Sequence, residues 1–234
     1  MKPHTSKSFE TELSRLKDKA LRMGGMVEAA IGKAMRALEW RDAKLAEAVI
    51  AEDHLVNRLE VEIDEMCVGI VALRQPAAED LRLIITGLKI STDLERIGDL
   101  AVNMSERALE IMDAPDNAAL PELMRMAQIA QGMLHDALDA YVARDAEKAE
   151  AVCRRDDVVD DLNRQIFHTL MSQMTQAPAG IMGYLGFMNI SRHMERVADH
   201  STNIAEMVIY LVKGKDIRHT SFEKEPPSSP KPGE

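Results

Sequence analysis

Apolar residues recur every three to four positions along most of the chain. From Phe9 they run through Leu13, Leu16, Ala20, Met23, Val27, Ile31, Ala34 and Leu38, the spacing of one buried helix face. A first helix is therefore expected from Phe9 to about Trp40, after a loose arm of residues 1–8. Gly24 and Gly25 sit inside it at a cost in helix stability, which marks a close crossing or a bend. Asp42 is a good N-cap for a second helix ending near Arg74. Gln75-Pro76, with Glu79 and Asp80 in the first turn, opens a third that fades near Asp113. Ala114-Pro115-Asp116-Asn117 reads as a domain boundary. A fourth helix spans about Ala119 to Ala143, a fifth follows Arg144-Asp145-Ala146, and a sixth runs from Ala177-Pro178 to about Lys213, with Gly214 as its stop. Residues 215–234 include Glu225-Pro226-Pro227-Ser228-Ser229-Pro230 and have the composition of a disordered tail.

The second half echoes the first. Ile90-Ser91-Thr92-Asp93-Leu94-Glu95-Arg96-Ile97-Gly98-Asp99 is matched 100 positions later by Ile190-Ser191-Arg192-His193-Met194-Glu195-Arg196-Val197-Ala198-Asp199. Arg41-Asp42-Ala43 returns as Arg144-Asp145-Ala146, 103 positions on, and that offset holds from Ala46/Ala149 to Ile63/Ile166. Three residues are thus lost between the second and third helices of the second half, where a loop absorbs the deletion. The pattern predicts an all-α protein of six helices in two tandem three-helix bundles, residues 9–114 and 115–214. Each helix needs bundle partners to bury its apolar stripe.

On a helix advancing about 100° per residue, Glu95, Asp99, Asn103 and Glu106 share one narrow stripe opposite Ile97, Ala101, Met104 and Ala108. A solvated charged face has the same spacing. However, acids four residues apart repel, and the pair recurs as Glu195 and Asp199. A bound cation would offset that cost, and carboxylate and amide oxygens suit hard cations. The second helix of each half carries a stripe of its own: Asp53, Asn57 and Glu60, then Asp156, Asp160 and Asn163. If second and third helices are antiparallel neighbours, these stripes face one another. His193 and His200 lie one heptad apart, and no Glu-x-x-His pattern of di-iron bundles is present. Arg96 and Arg196 follow the leading glutamates and suit structural ion pairs, with a phosphate role open.

Only 3% of residues are aromatic, which favours helices over sheets. The net charge of −10 argues against general binding to nucleic acid or to an anionic membrane surface. Cys67 and Cys153 belong to no CxxC pair and read as reduced core thiols. Neither a signal peptide nor an apolar run of membrane-spanning length is recognisable, so a cytoplasmic protein is expected. There is no nucleophile elbow, phosphate loop or kinase motif.

Together, the two Glu-Arg-x-x-Asp motifs, Met23-Gly24-Gly25-Met26-Val27-Glu28, Arg74-Gln75-Pro76 with Asp80-Leu81-Arg82, and Val212-Lys213-Gly214 with Arg218-His219 resemble the PhoU family over about residues 6–220. The resemblance implies a non-enzymatic negative regulator of the phosphate-starvation response. It implies an adaptor between a phosphate ABC transporter ATPase and a sensor histidine kinase, a homodimer, and metal ions on the acidic motifs. The metal could be Mg, Mn, Fe, Zn or Ca. By position the ligands would be Glu95, Asp99, Asn103 and Glu106 with Asp53, and Glu195, Asp199, Asn203 and Glu206 with Asp156 and Asp160. Asn57 stands where the other half has Asp160, which leaves the first site less charged. A metal-dependent phosphohydrolase and a metal-buffering protein are the alternatives.

Overall fold

The computed structural model describes residues 7–115 and 117–215. Most of the expected tail, part of the N-terminal arm, and Asp116 of the boundary lie outside them. Helices α1 (Lys7–Trp40), α2 (Ala43–Arg74) and α3 (Ala78–Glu110) form the first bundle. Helices α4 (Leu120–Ala143), α5 (Ala146–Cys153), α6 (Asp156–Gln176) and α7 (Ile181–Lys213) form the second. Among the described residues there is no strand, and no helix is long and apolar enough to cross a membrane.

In each half a left-handed arginine, Arg41 or Arg144, both at φ 53°, ends the first helix. The aspartate that follows caps the next. Asp42 Oδ1 accepts from the Lys44 and Leu45 amides at 3.0 and 3.4 Å, and Asp145 Oδ1 accepts from Lys148 N at 3.0 Å. A cap of this kind contributes about 1 kcal/mol. Each arginine then reaches an element downstream: Arg41 donates to the Ala114 carbonyl at 2.8 Å, and Arg144 to Glu79 at 2.7 Å.

Three boundaries differ from expectation. The first helix starts at Lys7, inside the expected arm, where Thr11 donates to the Lys7 carbonyl. Pro76 stays outside α3, because Gln75 adopts a left-handed conformation and the helix resumes only at Ala78. The expected fifth helix is two pieces. At Arg154-Arg155 the hydrogen bonds tighten to three-residue spacing, Arg155 N to Val152 O and Val158 N to Arg155 O. There Arg155 turns to α4 and donates to Asp136 at 2.6 Å. The equivalent bridge in the first half is Lys33–Glu52, with the charges exchanged. The three-residue deletion lies between the second and third helices as expected, but no loop absorbs it. Ala177 and a 3₁₀ turn at Pro178–Gly180 make a connection one residue longer than residues 75–77 of the first half, and the residues are lost from the helix ends that flank it.

Gly24 marks a close crossing within an uninterrupted α1. A Cβ at Gly24 would collide with Leu138 of α4, whereas one at Gly25 would meet nothing. The two bundles are joined mainly by α3 and α7, which run antiparallel. Asp93 meets His200 and Asn203, while just beyond the end of α3 Ile111 and Ala114 press onto Gly186 and Gly183. Fully buried Leu94, Ile97, Met104, Met194, Val197 and Ile204 fill the cores on either side of this seam. Each contributes about 1.5–3 kcal/mol by burial.

Candidate functional site

Helices α2 and α3 are antiparallel neighbours. Cys67 donates to the Ile84 carbonyl near one end, and Asp53 packs beside Gly98 further along. The two acidic stripes therefore meet. Gly98 is what lets them approach: a Cβ there would stand 3.3 Å from Val56 and 3.6 Å from Asp53 Oδ1. The second half has Ala198 at this position, and its facing helix is the broken one.

In the first half the structure gathers Asp53, Glu60, Glu95 and Asp99. Glu95 is pushed above the usual carboxylate range by desolvation, then by Asp99 and Asp53, with Arg96 pulling the other way. Glu60 is raised by desolvation, then by Glu95, Asp64 and Asp99, with Arg96 opposing. Arg96 Nε lies 3.5 Å from Glu95 Oε2, the structural ion pair expected of it. Asn57 donates to Asp53 at 2.9 Å, so it tethers the acid, and its own carbonyl oxygen is buried without a partner.

In the second half Asp156, Asp160, Glu195 and Asp199 converge. Asp156 is pushed up to about 6 by desolvation, then by Asp199 and Asp160. Its Oδ1 is buried without a hydrogen-bond partner. Asp199 is raised by desolvation, then by Glu195 and Asp160. Asn163 is withdrawn from the stripe, because Ser191 donates to it at 2.6 Å.

The remaining candidates fall elsewhere. Asn203 does not join Asp199, since its amide crosses the seam to Asp93 at 3.4 Å. Glu106 is exposed at the far end of its stripe, and Glu206 acts electrostatically on Cys153. Asn103 has no hydrogen bond among the described residues. Asp64, and the pairing of His200 with Asp93, escaped the sequence reading. Asp64 continues the α2 stripe four residues beyond Glu60, a spacing that could have found it. His200 and Asp93, 2.9 Å apart, meet only because the bundles dock. His200 partly offsets the charge on both Glu95 and Asp199.

Crowded carboxylates with raised pKa values and orphaned oxygens at Asn57 and Asp156 are the donor chemistry of a hard-cation site. Among the described residues, however, no three His, Cys, Asp or Glu side chains already surround one point as a closed metal site. The donor set fits a hard ion chemically, and ligation would require side chains to turn inward.

The architecture defines the class: a duplicated all-α protein whose halves carry matching acid-faced helix pairs and dock through their third helices. The PhoU domain profile matches residues 20–108 and 123–208. The chain is a member of the PhoU family. It is 38% identical over 214 residues to the phosphate-specific transport system accessory protein PhoU homolog of Clostridium acetobutylicum, covering 91% of this chain and 98% of that protein. Identity to the phosphate-specific transport system accessory protein PhoU of Escherichia coli is 38% over 221 residues, 94% of this chain and 92% of that one. The crystal structure of PhoU from Pseudomonas aeruginosa superposes with a TM-score of 0.85 at 40% identity, over 88% of this chain and all of that one.

Proposed function

We propose that this protein is a cytoplasmic negative regulator of the phosphate-starvation response, acting by contact between a phosphate ABC transporter ATPase and a sensor histidine kinase. The observation that carries the reading is family membership across both halves, with relatives named as accessory proteins of phosphate-specific transport. The fold suits the task. Two bundles packed along the α3–α7 seam present long exposed helix faces, and a contact protein needs surface for two partners. On this reading the protein is a homodimer without catalytic activity of its own.

The acid clusters would hold metal ions. Asp53, Glu60, Glu95 and Asp99 are the donors in the first half, and Asp156, Asp160, Glu195 and Asp199 in the second. A bound cation would supply positive charge that relieves the mutual repulsion of these acids and fixes α2 to α3, and α6 to α7. The test is affinity capture of the tagged full chain from cells grown in high and in low phosphate. The transporter ATPase and the kinase should both co-purify from phosphate-rich cells. Capture of neither in either condition would overturn the adaptor reading. Metal-dependent phosphate release by the purified protein, abolished in Asp199→Ala, would favour a phosphohydrolase instead.

A further inference from the structure

Helix α2 carries an apolar stripe on the side turned away from its own bundle. Its buried residues Val56, Leu59, Ile63, Cys67 and Ile70 form one face. On the opposite face Ala51, His54, Arg58, Val61, Glu65, Val68 and Ala72 follow one another at alternating steps of three and four residues, and all are exposed. That is the heptad spacing with which one helix packs along another. Val61 and Val68 are 54% and 67% exposed, and Val71 and Leu73 extend the apolar surface toward the helix end. Isolated exposed valines are ordinary, whereas a contiguous apolar row marks a contact surface.

The sister helix is an internal control. At the equivalent positions, 103 residues on, α6 carries Asp157, Asp161, Arg164 and His168, and Asp161 and Arg164 pair with each other. The same place in the second bundle is thus a solvated charged face, so the fold alone does not call for valines there. The two charges on the α2 stripe are placed differently. Arg58 and Glu65 have no ion pair among the described residues. Seven positions separate them, about 10 Å of helix rise, so they cannot reach one another. Glu62, one turn from Arg58, is taken by Lys19 of α1. No cation lies three or four residues from Glu65 on α2.

We propose that the outer stripe of α2 is the interface between two copies of this chain, packed antiparallel about a two-fold axis that passes beside Val61. The interface rests on the homodimer proposed above and gives it a face. In this register Arg58 of each copy meets Glu65 of the other, so both unpaired charges are satisfied, twice over. Val61 packs against its own counterpart at the axis. Val68 falls level with the partly exposed Leu55, and Ala72 with Ala51. Small residues at both ends let the helices approach to the roughly 8–10 Å of ordinary helix packing. A two-fold contact sets a patch against itself, and Arg58 and Glu65, on either side of Val61, are self-complementary only in the antiparallel sense. A parallel copy would oppose arginine to arginine. A different protein would need the matching charges on its own surface, whereas this face already carries its own complement.

Sedimentation velocity of the full-length protein over a concentration series tests this. The wild type should dimerise, and Arg58→Glu and Glu65→Arg should each weaken the dimer about tenfold or more, because each sets like charges opposite one another. Combining Arg58→Glu with Glu65→Arg restores opposite charges and should recover most of the affinity. Met171→Asp, on the sister stripe of α6, should dimerise like wild type. A dimer indifferent to both single reversals overturns this interface and leaves the homodimer standing. A wild type that is monomeric throughout overturns the homodimer and the interface with it. A combined variant no tighter than the single ones overturns the antiparallel register. An unaltered dimer in Val68→Asp that no longer captures the ATPase or the kinase from cells would assign the stripe to another protein and overturn the proposal.

Discussion

Replacing Asp156 by asparagine should make the metal-free protein more stable at mildly alkaline pH. Asp156 stands at the first position of α6, crowded by Asp199 and Asp160, and its carboxyl is pushed from 3.8 to about 6. Burial and like charge both favour the protonated form, so the folded state binds this proton more tightly than the unfolded chain does. The contribution is therefore fully present below the unfolded carboxylate range and is lost as pH rises through about 6. Two pH units correspond to a ceiling of about 3 kcal/mol. Water still reaches part of the group, which reduces the figure to about 1–2 kcal/mol. An opposing effect exists: a negative charge in the first helical turn gains about 0.3–1 kcal/mol from the helix dipole. The crowding is the larger. Asp156→Asn should thus gain about 1 kcal/mol at pH 8 and show a flatter pH dependence between pH 4 and pH 7. Urea unfolding followed by circular dichroism, with chelator present, measures both quantities. Magnesium or manganese should then close the gap by stabilising the wild type alone, because the cation takes over the proton's role. Parallel pH profiles for the two proteins, or a less stable variant at pH 8, would refute the reasoning.

Gly25→Ala should raise stability by about 0.5–1 kcal/mol, since the new methyl meets open space and the helix loses a flexible residue. Gly24→Ala should instead lower it by up to about 2 kcal/mol, because displacing Leu138 outweighs the same propensity gain; urea midpoints decide between them. Asp99→Ala combined with Asp199→Ala should reduce the metal content of the purified protein while leaving its helical circular dichroism intact. Unchanged stoichiometry would remove both acid clusters as the ligands.

The helices were readable because each has a continuous apolar stripe, and the helix starts because aspartate caps act locally. The break at Arg154-Arg155 was not readable. Arginine is a good helix former, the apolar period continues across it from Val152 to Val159, and the cause lies in α4, where Asp136 draws Arg155 aside. The start at Lys7 was missed because residues 1–8 lack an apolar stripe until Phe9. The facing acids Asp53, Glu95, Asp99, Asp156, Asp160 and Asp199 could be anticipated from spacing, given antiparallel neighbours. Asn203 could not be placed, because its partner Asp93 lies in the other half and the two meet only across the docked seam. Glu106 shares the angular stripe of Glu95, but it lies three turns further along α3, where it stands exposed. The angular stripe was legible in the sequence, whereas the distance along the helix over which it stays covered was not.

On the proposed function, this protein silences phosphate-scavenging genes by contact with a histidine kinase. The most direct measurement compares expression of those genes in phosphate-rich medium among three strains: wild type, a deletion of this gene, and the same deletion lacking the partner kinase. Expression should rise in the single deletion and return to the wild-type level in the double. An equal rise in both deletion strains would show that the protein does not act through the kinase and would contradict the account.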